Sequence, residues 1–157
     1  FAQQSVAAWD HGMRVNLTSA FILTQELRQA LAASPGGSVV LVSSIYGIVG
    51  SDAAVYEATT MNPDRVLAYS ASKGGLLMLM RHLATLLAPE IRVNAISPGG
   101  IERGQPEAFR KNYSARTPLK RMGVEEDLKG AVAYLASDLS AYVTGHNLIV
   151  DGGWTAW

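Results

Sequence analysis

The chain has 157 residues, and its 48% hydrophobic content is enough to build the core of one domain. Its 13 basic and 13 acidic residues give a formal net charge of zero, so nucleic acid and anionic membranes are not expected as main partners. It has no cysteine, which excludes disulfides and thiolate metal sites and is typical of a cytoplasmic protein. No apolar run approaches the roughly 20 residues that span a bilayer.

The first half of the chain predicts a helix, a strand and a second helix. Residues 5–33 have the pattern of one long helix, interrupted near Asn16 and ended by Pro35-Gly36-Gly37. Residues 38–42 then predict a buried strand, which runs into the hydroxyl-rich turn Ser43-Ser44-Ile45-Tyr46-Gly47. The second helix is expected over residues 68–88.

The second half predicts two more strands and one more helix. A strand over residues 92–96 leads into Ser97-Pro98-Gly99-Gly100, and a polar stretch without a predicted element reaches Gly123. A helix is expected over residues 124–137, with an acidic triplet at its start, where the helix dipole favours negative charge. Residues 147–150 predict a short final strand, so the pattern indicates an α/β domain.

Small or polar residues follow two of these strands, which are separated by one helix. Such a strand–helix–strand unit places both carboxyl ends on one edge of a parallel sheet, where open α/β sheets bind ligands. Ser44, Tyr69 and Pro98-Gly99 should therefore lie close together on this edge.

Tyr69 and Lys73 lie four residues apart and therefore on one face of the second helix. A nearby ammonium stabilises a phenolate, so the pair can transfer a proton. The alternative, which is the commoner one for an isolated Tyr-x-x-x-Lys, is a solvated pair on an ordinary helix.

Several motifs in a fixed order extend this pattern over nearly the whole chain. They are Trp9-Asp10 through Val15-Asn16-Leu17, Ser43-Ser44, Tyr69-x-x-x-Lys73, Arg92-Val93-Asn94 with Ser97-Pro98-Gly99, Thr117-Pro118-Leu119 with Arg121-Met122-Gly123, and Tyr142-Val143-Thr144-Gly145 with Val150-Asp151-Gly152-Gly153. Together they resemble the C-terminal part of a short-chain dehydrogenase/reductase.

The resemblance implies the C-terminal part of a doubly wound parallel-sheet Rossmann fold, three strands with flanking helices, in which residues 1–157 form a partial domain. The glycine-rich turn that receives dinucleotide phosphates in this family is not in the sequence, so we expect an N-terminal half outside it, and an isolated chain that is inactive. The implied parent is an oxidoreductase that uses NAD or NADP on a small-molecule carbonyl or secondary alcohol, and that assembles as a homodimer or homotetramer. The alternative is a non-catalytic remnant or interaction module.

The resemblance also implies catalytic roles for four residues. Tyr69 would be the acid/base, Lys73 would support it and bind the nicotinamide ribose, and Ser44 would hold the substrate oxygen. Ser44 is preferred to Ser43 because the family's serine precedes two residues and a glycine. Asn16 would help to hold a proton-relay water near the lysine. The alternatives are a strand-end cap for Ser44 and a polar residue in a helix bend for Asn16.

The resemblance places the cofactor's nicotinamide against Pro98, Gly99 and Ile101, where glycine permits close approach and a main-chain N–H can meet the carboxamide. The family often has a threonine shortly after this motif, but Arg103 stands near that position. No histidine has metal-ligand spacing, so no metal site is expected.

Two features indicate the substrate. The interval between Ser44 and Tyr69 is longer than usual in the family, so residues 51–67 form an insertion. Its candidate substrate contacts are Tyr56, Glu57, Thr59, Thr60 and Asn62, and the alternative is a surface loop. Six basic residues occur between positions 103 and 121, including Arg110, Lys111 and Arg116. This basic lid, together with the turn after the first strand, resembles members of bacterial surface-sugar biosynthesis and suggests an anionic sugar derivative. The alternative is a solvated helix face.

Overall fold

The structure, a computed structural model, describes residues 4–33, 35–61 and 66–157. Its centre is a parallel sheet of three strands in the order β1-β2-β3: β1 Gly37–Val42, β2 Ile91–Pro98 and β3 Asn147–Val150. Gly37 pairs with Ile91 and Ala95 with Asn147, so β2 lies between the other two strands. The α/β class and the three parallel strands predicted from the sequence are confirmed.

The sheet carries helices on both faces. Ile91, Val93 and Ala95 alternate along β2 and pack against helix α3, Leu67–Leu87, whose buried residues recur every four positions. The residues between them point to the other face, where the Arg92 guanidinium donates to the Leu135 carbonyl of helix α5, Glu126–Ala136.

The predicted first helix is one helical run with a change of winding in its middle. Helix α1, Val6–Met13, continues through a π-helical turn, Arg14–Thr18, into helix α2, Ser19–Ala32. Asn16 lies inside that turn, so the structure has a change of winding in a continuous helix where an interruption was predicted, and α1 and the turn both pack against α3.

The polar stretch before Gly123, for which no element bounds were predicted from the sequence, contains helix α4, Glu107–Arg116. This helix starts directly after Pro106 and begins with an acidic residue. The helix forms because Phe109 and Tyr113, one turn apart, are both buried in a cluster with Trp154. This second core lies under the carboxyl edge of the sheet and forms one side of the site described below.

The described part of the predicted insertion, which includes residues 51–61, packs against helix α4. It contains a short 3₁₀ turn, Ala53–Tyr56, in which Val55 and Tyr56 are buried. Asp52 caps this turn by accepting a hydrogen bond from the Ala54 N–H at 3.0 Å. Asn62, a candidate contact in the same insertion, lies outside the described residues.

Candidate active site

A cavity of about 370 Å³ opens at the carboxyl ends of β1 and β2, a size that suits a small-molecule site. Three of the four predicted catalytic residues line it, namely Ser44, Tyr69 and Lys73. The three predicted cofactor-binding residues line it as well: Pro98, Gly99 and Ile101. The sheet edge thus brings together residues that are up to 57 positions apart in the sequence.

Lys73 is fixed to the end of β1 by both its side chain and its backbone. Its ammonium donates to the Val42 carbonyl at 2.8 Å, and its own carbonyl accepts a hydrogen bond from the Ser43 hydroxyl at 2.8 Å. The ammonium lies 5.5 Å from the centre of the Tyr69 ring, close enough to stabilise a phenolate. Burial lowers the pKa of Lys73 below its usual range.

The two serines after β1 have different hydrogen bonds. The Ser43 hydroxyl donates to helix α3, whereas the Ser44 oxygen accepts from the Tyr46 N–H at 3.2 Å and caps the turn Ile45–Gly47. Ser44 therefore acts as a cap at the strand end, which was the alternative to a catalytic role. Its hydroxyl proton has no acceptor among the described residues. That proton is available for an oxygen atom in the cavity.

Asn16 lies outside the cavity lining. Its side-chain amide donates to the Ser72 hydroxyl at 3.1 Å, and that hydroxyl donates to the Tyr69 carbonyl at 2.7 Å. The contact links the π-helical turn to the second turn of α3. A water-holding role for Asn16 stays a prediction.

Gly47 sets how closely the strand-end turn approaches α3. A methyl group at this position would lie 2.7 Å from the Lys73 carbonyl carbon and 2.9 Å from the Gly74 nitrogen, both backbone atoms that cannot move alone. We expect Gly47→Ala to lower the free energy of unfolding by about 1–3 kcal/mol, measured by urea denaturation of the protein produced from its complete reading frame.

Gly50→Ala is the matched control for this change, because a methyl group there meets nothing within 4 Å. Equal free energies of unfolding for the two variants would show that the turn at Gly47 does not pack closely against the backbone of α3.

In the backbone segment Gly99–Ile101, one N–H group has no hydrogen-bond partner among the described residues. The Gly99 N–H donates to the Val150 carbonyl and the Gly100 N–H to the Tyr113 hydroxyl at 2.6 Å, whereas the Ile101 N–H donates to no group within the described residues. Tyr113 is buried against this segment, and this burial raises its pKa to about 12. The free Ile101 N–H fits an amide oxygen in the cavity.

The far wall of the cavity is mostly aromatic and apolar. Tyr56, from the insertion, lies edge-on to the Phe109 ring at 5.4 Å, and its hydroxyl lies 2.9 Å from that of Tyr46. Sequence reasoning missed most of this wall: Tyr46, Met61, Gln105, Phe109, Tyr113, Met122 and Leu128. The spacing of Phe109 and Tyr113 behind Pro106 was the available signal, since it marks a helix with one buried face.

The basic lid residues lie outside the cavity lining, and most have carboxylate partners. Arg110 pairs with Glu102 at 2.7 Å and Arg116 with Asp52 at 3.1 Å, while Lys111 is exposed. Arg103 and Arg121 also form ion pairs, with Glu125 and Asp127. Of the predicted substrate-binding residues, Tyr56 therefore lines the cavity, whereas Arg110, Lys111 and Arg116 do not.

The described residues contain neither a potential metal-binding cluster nor a helix that could span a membrane. Within residues 4–33, 35–61 and 66–157, no three potential metal-ligating side chains of His, Cys, Asp or Glu form a group. In the same ranges, no helix combines the length and the apolar character needed to cross a membrane.

Both the sequence and the fold of the chain match known proteins. A family model described as enoyl-(acyl carrier protein) reductase matches residues 1–155. A 3-oxoacyl-[acyl-carrier-protein] reductase of Thermotoga maritima is 38% identical over 92% of this chain and 56% of its own length.

Two solved structures superpose closely on the chain. A short-chain dehydrogenase of Leptospira borgpetersenii with bound NAD⁺ is 38% identical, with a TM-score of 0.88 over 99% of this chain and 59% of that one. A gluconate 5-dehydrogenase of Burkholderia cenocepacia in complex with NADP and tartrate is 29% identical, with a TM-score of 0.84 over 99% and 59%. The chain thus spans about three fifths of the length of these relatives, and it belongs to the short-chain dehydrogenase/reductase family.

Proposed function

We propose that this chain carries the proton-transfer site of an NAD(P)-dependent dehydrogenase that acts on a carbonyl group or a secondary alcohol. The observation that carries the proposal is the convergence of Ser44, Tyr69 and Lys73 on one cavity at the carboxyl edge of the sheet. Its relatives include NAD⁺-bound and NADP-bound dehydrogenases, which supports either cofactor.

The residues around the cavity fit the nicotinamide end of such a cofactor. The Lys73 ammonium has three protons and gives one to Val42, which leaves two for ribose hydroxyls. The unpaired Ile101 N–H is a donor for the carboxamide oxygen, beside Pro98 and Gly99. When bound, the cofactor accepts or supplies the hydride. We propose that the phosphate-binding turn comes from a part of the protein outside residues 1–157.

In the proposed mechanism, the side chains of this chain hold the substrate oxygen and move one proton. During alcohol oxidation the Tyr69 phenolate takes the hydroxyl proton, and during carbonyl reduction the Tyr69 phenol returns it. The Ser44 hydroxyl donates to the same oxygen and stabilises the charge that develops on it. Lys73 favours the phenolate form by its positive charge.

An anionic sugar derivative, the substrate suggested by the basic lid, has weaker support than the reaction itself. Arg110 and Arg116 are already neutralised by carboxylates on neighbouring segments, and each pair holds part of the lid in place. We therefore propose a structural role for these arginines and look to the cavity wall for substrate selection.

The proposed function predicts a shift in pH dependence when Lys73 loses its charge. The Lys73 ammonium lies 5.5 Å from the centre of the Tyr69 ring, and its charge favours the phenolate, while solvent around the partly exposed Tyr69 screens this effect. In Lys73→Met, we expect the rise in alcohol-oxidation rate to move to higher pH. Lys129→Met, at an exposed site on α5, is the control.

The same experiment separates the enzyme from an interaction module. The protein from the complete reading frame should reduce NAD⁺ or NADP⁺ with secondary alcohols, and a module without catalysis would reduce neither. An unchanged pH profile in Lys73→Met would restrict the lysine to ribose binding.

Self-association is a second part of the proposal. Helix α2 exposes four large apolar side chains, Phe21, Ile22, Leu23 and Leu27, in residues 1–157. The part of the protein outside these residues or a second copy would cover them, and we propose a second copy, in a homodimer or homotetramer.

A further inference from the structure

The hydroxyl groups of Tyr46 and Tyr56 form a pair inside the cavity. Their oxygen atoms lie 2.9 Å apart, and both residues belong to the cavity lining. One hydroxyl donates its proton to the other, so one proton of the pair remains, and no acceptor for it occurs among the described residues. A donor in a largely apolar pocket is stabilised by an acceptor from a ligand or a water molecule.

Helix α4 holds the insertion that supplies Tyr56. The Asn112 side-chain amide donates to the Glu57 carbonyl at 3.0 Å and lies 3.4 Å from the Ala54 and Val55 carbonyls. Phe109 packs on the Tyr56 ring, one turn earlier on the same face of α4.

Arg116 adds a third contact, because it pairs with Asp52 at the start of the 3₁₀ turn. These three α4 side chains fix both ends of the turn and the tyrosine itself.

The surroundings of the phenol pair favour an uncharged group. Ile45, Met61 and Phe109 border it, and Lys73 is the one charged side chain of the cavity lining within the described residues. Burial, together with the hydrogen bond between Tyr46 and Tyr56, raises the pKa of Tyr46 well above its usual range. Tyr46 therefore stays neutral, and the remaining proton of the pair is available to an uncharged acceptor.

We infer that Tyr46 and Tyr56 form a specificity site that binds a second, uncharged oxygen of the substrate, distant from the reacting carbon, with Asn112 as its positioning residue. The preferred substrate is then a compact molecule with an apolar body, a reacting hydroxyl or carbonyl, and a remote hydroxyl or carbonyl. This inference rests on the proposed function for the reacting end and adds the recognition of the other end.

Three ring alcohols of the same skeleton test the inference: cyclohexanol, trans-cyclohexane-1,4-diol and trans-4-hydroxycyclohexanecarboxylate. Their dissociation constants are measured by calorimetry on the protein from the complete reading frame, saturated with NADH or NADPH. We expect the diol to bind about 3- to 10-fold more tightly than cyclohexanol, the value of one neutral hydrogen bond. The carboxylate should bind at least about 10-fold more weakly than the diol, because its charge has no cationic partner at the phenol pair.

Conservative variants locate this preference. Tyr56→Phe and Tyr46→Phe keep both rings and remove one hydroxyl each, and the remaining hydroxyl keeps its proton. Each single variant should therefore reduce the preference for the diol, and the double variant should abolish it. Tyr142→Phe, at a fully exposed position, should leave it unchanged. Asn112→Asp is nearly isosteric but cannot donate and should reduce the preference, whereas Asn112→Gln keeps the amide and should retain most of it.

The outcomes are decisive in either direction. Equal binding of diol and cyclohexanol, absence of binding by all three alcohols, tighter binding of the carboxylate, or a diol preference that survives the double variant of Tyr46→Phe and Tyr56→Phe would each overturn the inference. A diol preference that depends on Tyr56, in a protein that reduces neither NAD⁺ nor NADP⁺, would instead support the specificity site and contradict the proposed dehydrogenase.

Discussion

Replacing Tyr69 with phenylalanine should lower kcat/KM by on the order of 10²- to 10⁴-fold, the usual range for removal of a general acid/base. The variant loses one oxygen atom and keeps the ring, which is 37% exposed at the mouth of the cavity. The cavity would still bind cofactor and substrate, because Lys73 is held by Val42 and Ser43 and not by the phenol. The loss should therefore appear in kcat and only weakly in KM.

Tyr142→Phe and Tyr56→Phe serve as comparisons for Tyr69→Phe. Tyr142 is fully exposed and should have no effect, while Tyr56 should change the choice of substrate more than the maximal rate. A Tyr69→Phe protein that retains near-full activity would remove Tyr69 from the mechanism.

Ser44→Ala should lower kcat/KM by about 10²- to 10³-fold, the range for the loss of one donor to a developing oxyanion. Ser43→Ala is a matched control, because each serine makes one hydrogen bond to the backbone, to Tyr46 or to Lys73. Both variants should thus lose about 1 kcal/mol of stability, measured by urea denaturation, and Ser44→Ala should lose far more activity than Ser43→Ala, which only loosens the support of Lys73.

The opposite ranking of the two serines would contradict the assignment made from hydrogen bonding. Ser43 would then have to leave the Lys73 carbonyl to reach a substrate, which would loosen α3 at the position of the lysine.

Strong local patterns explain which elements the sequence predicted. β1 has four consecutive aliphatic residues, Val39 to Val42, and the buried positions of α3 recur every four residues, so each pattern indicates its element. The predicted burial of β1 holds for Leu41, whereas Val42 at the end of the strand is exposed. The bounds of β3 were predicted without error, at residues 147–150. The edge position of Ser44, Tyr69 and Pro98 follows from parallel pairing alone, because a strand–helix–strand unit aligns the carboxyl ends.

The aromatic wall could not be predicted in the same way, because it depends on contacts between distant segments. The burial of Tyr56 depends on α4, which packs against the insertion. Because α4 carries charged and polar residues on most of its surface, its sequence does not indicate this contact. The basic lid was misleading for a related reason. The ion pairs of Arg110 and Arg116 join residues 8 and 64 positions apart, and a count of charges does not reveal such partners.

The pH dependence of a single turnover tests most directly whether Tyr69 transfers the proton. Protein from the complete reading frame is mixed with oxidised cofactor and a secondary alcohol, and the rate of cofactor reduction is followed across pH for the wild type and Tyr69→Phe. Alcohol oxidation needs the deprotonated phenol, so the wild-type rate should rise with pH to a plateau, and Tyr69→Phe should be slow with no such rise. A rise of the same size at the same pH in Tyr69→Phe would show that another group takes the proton.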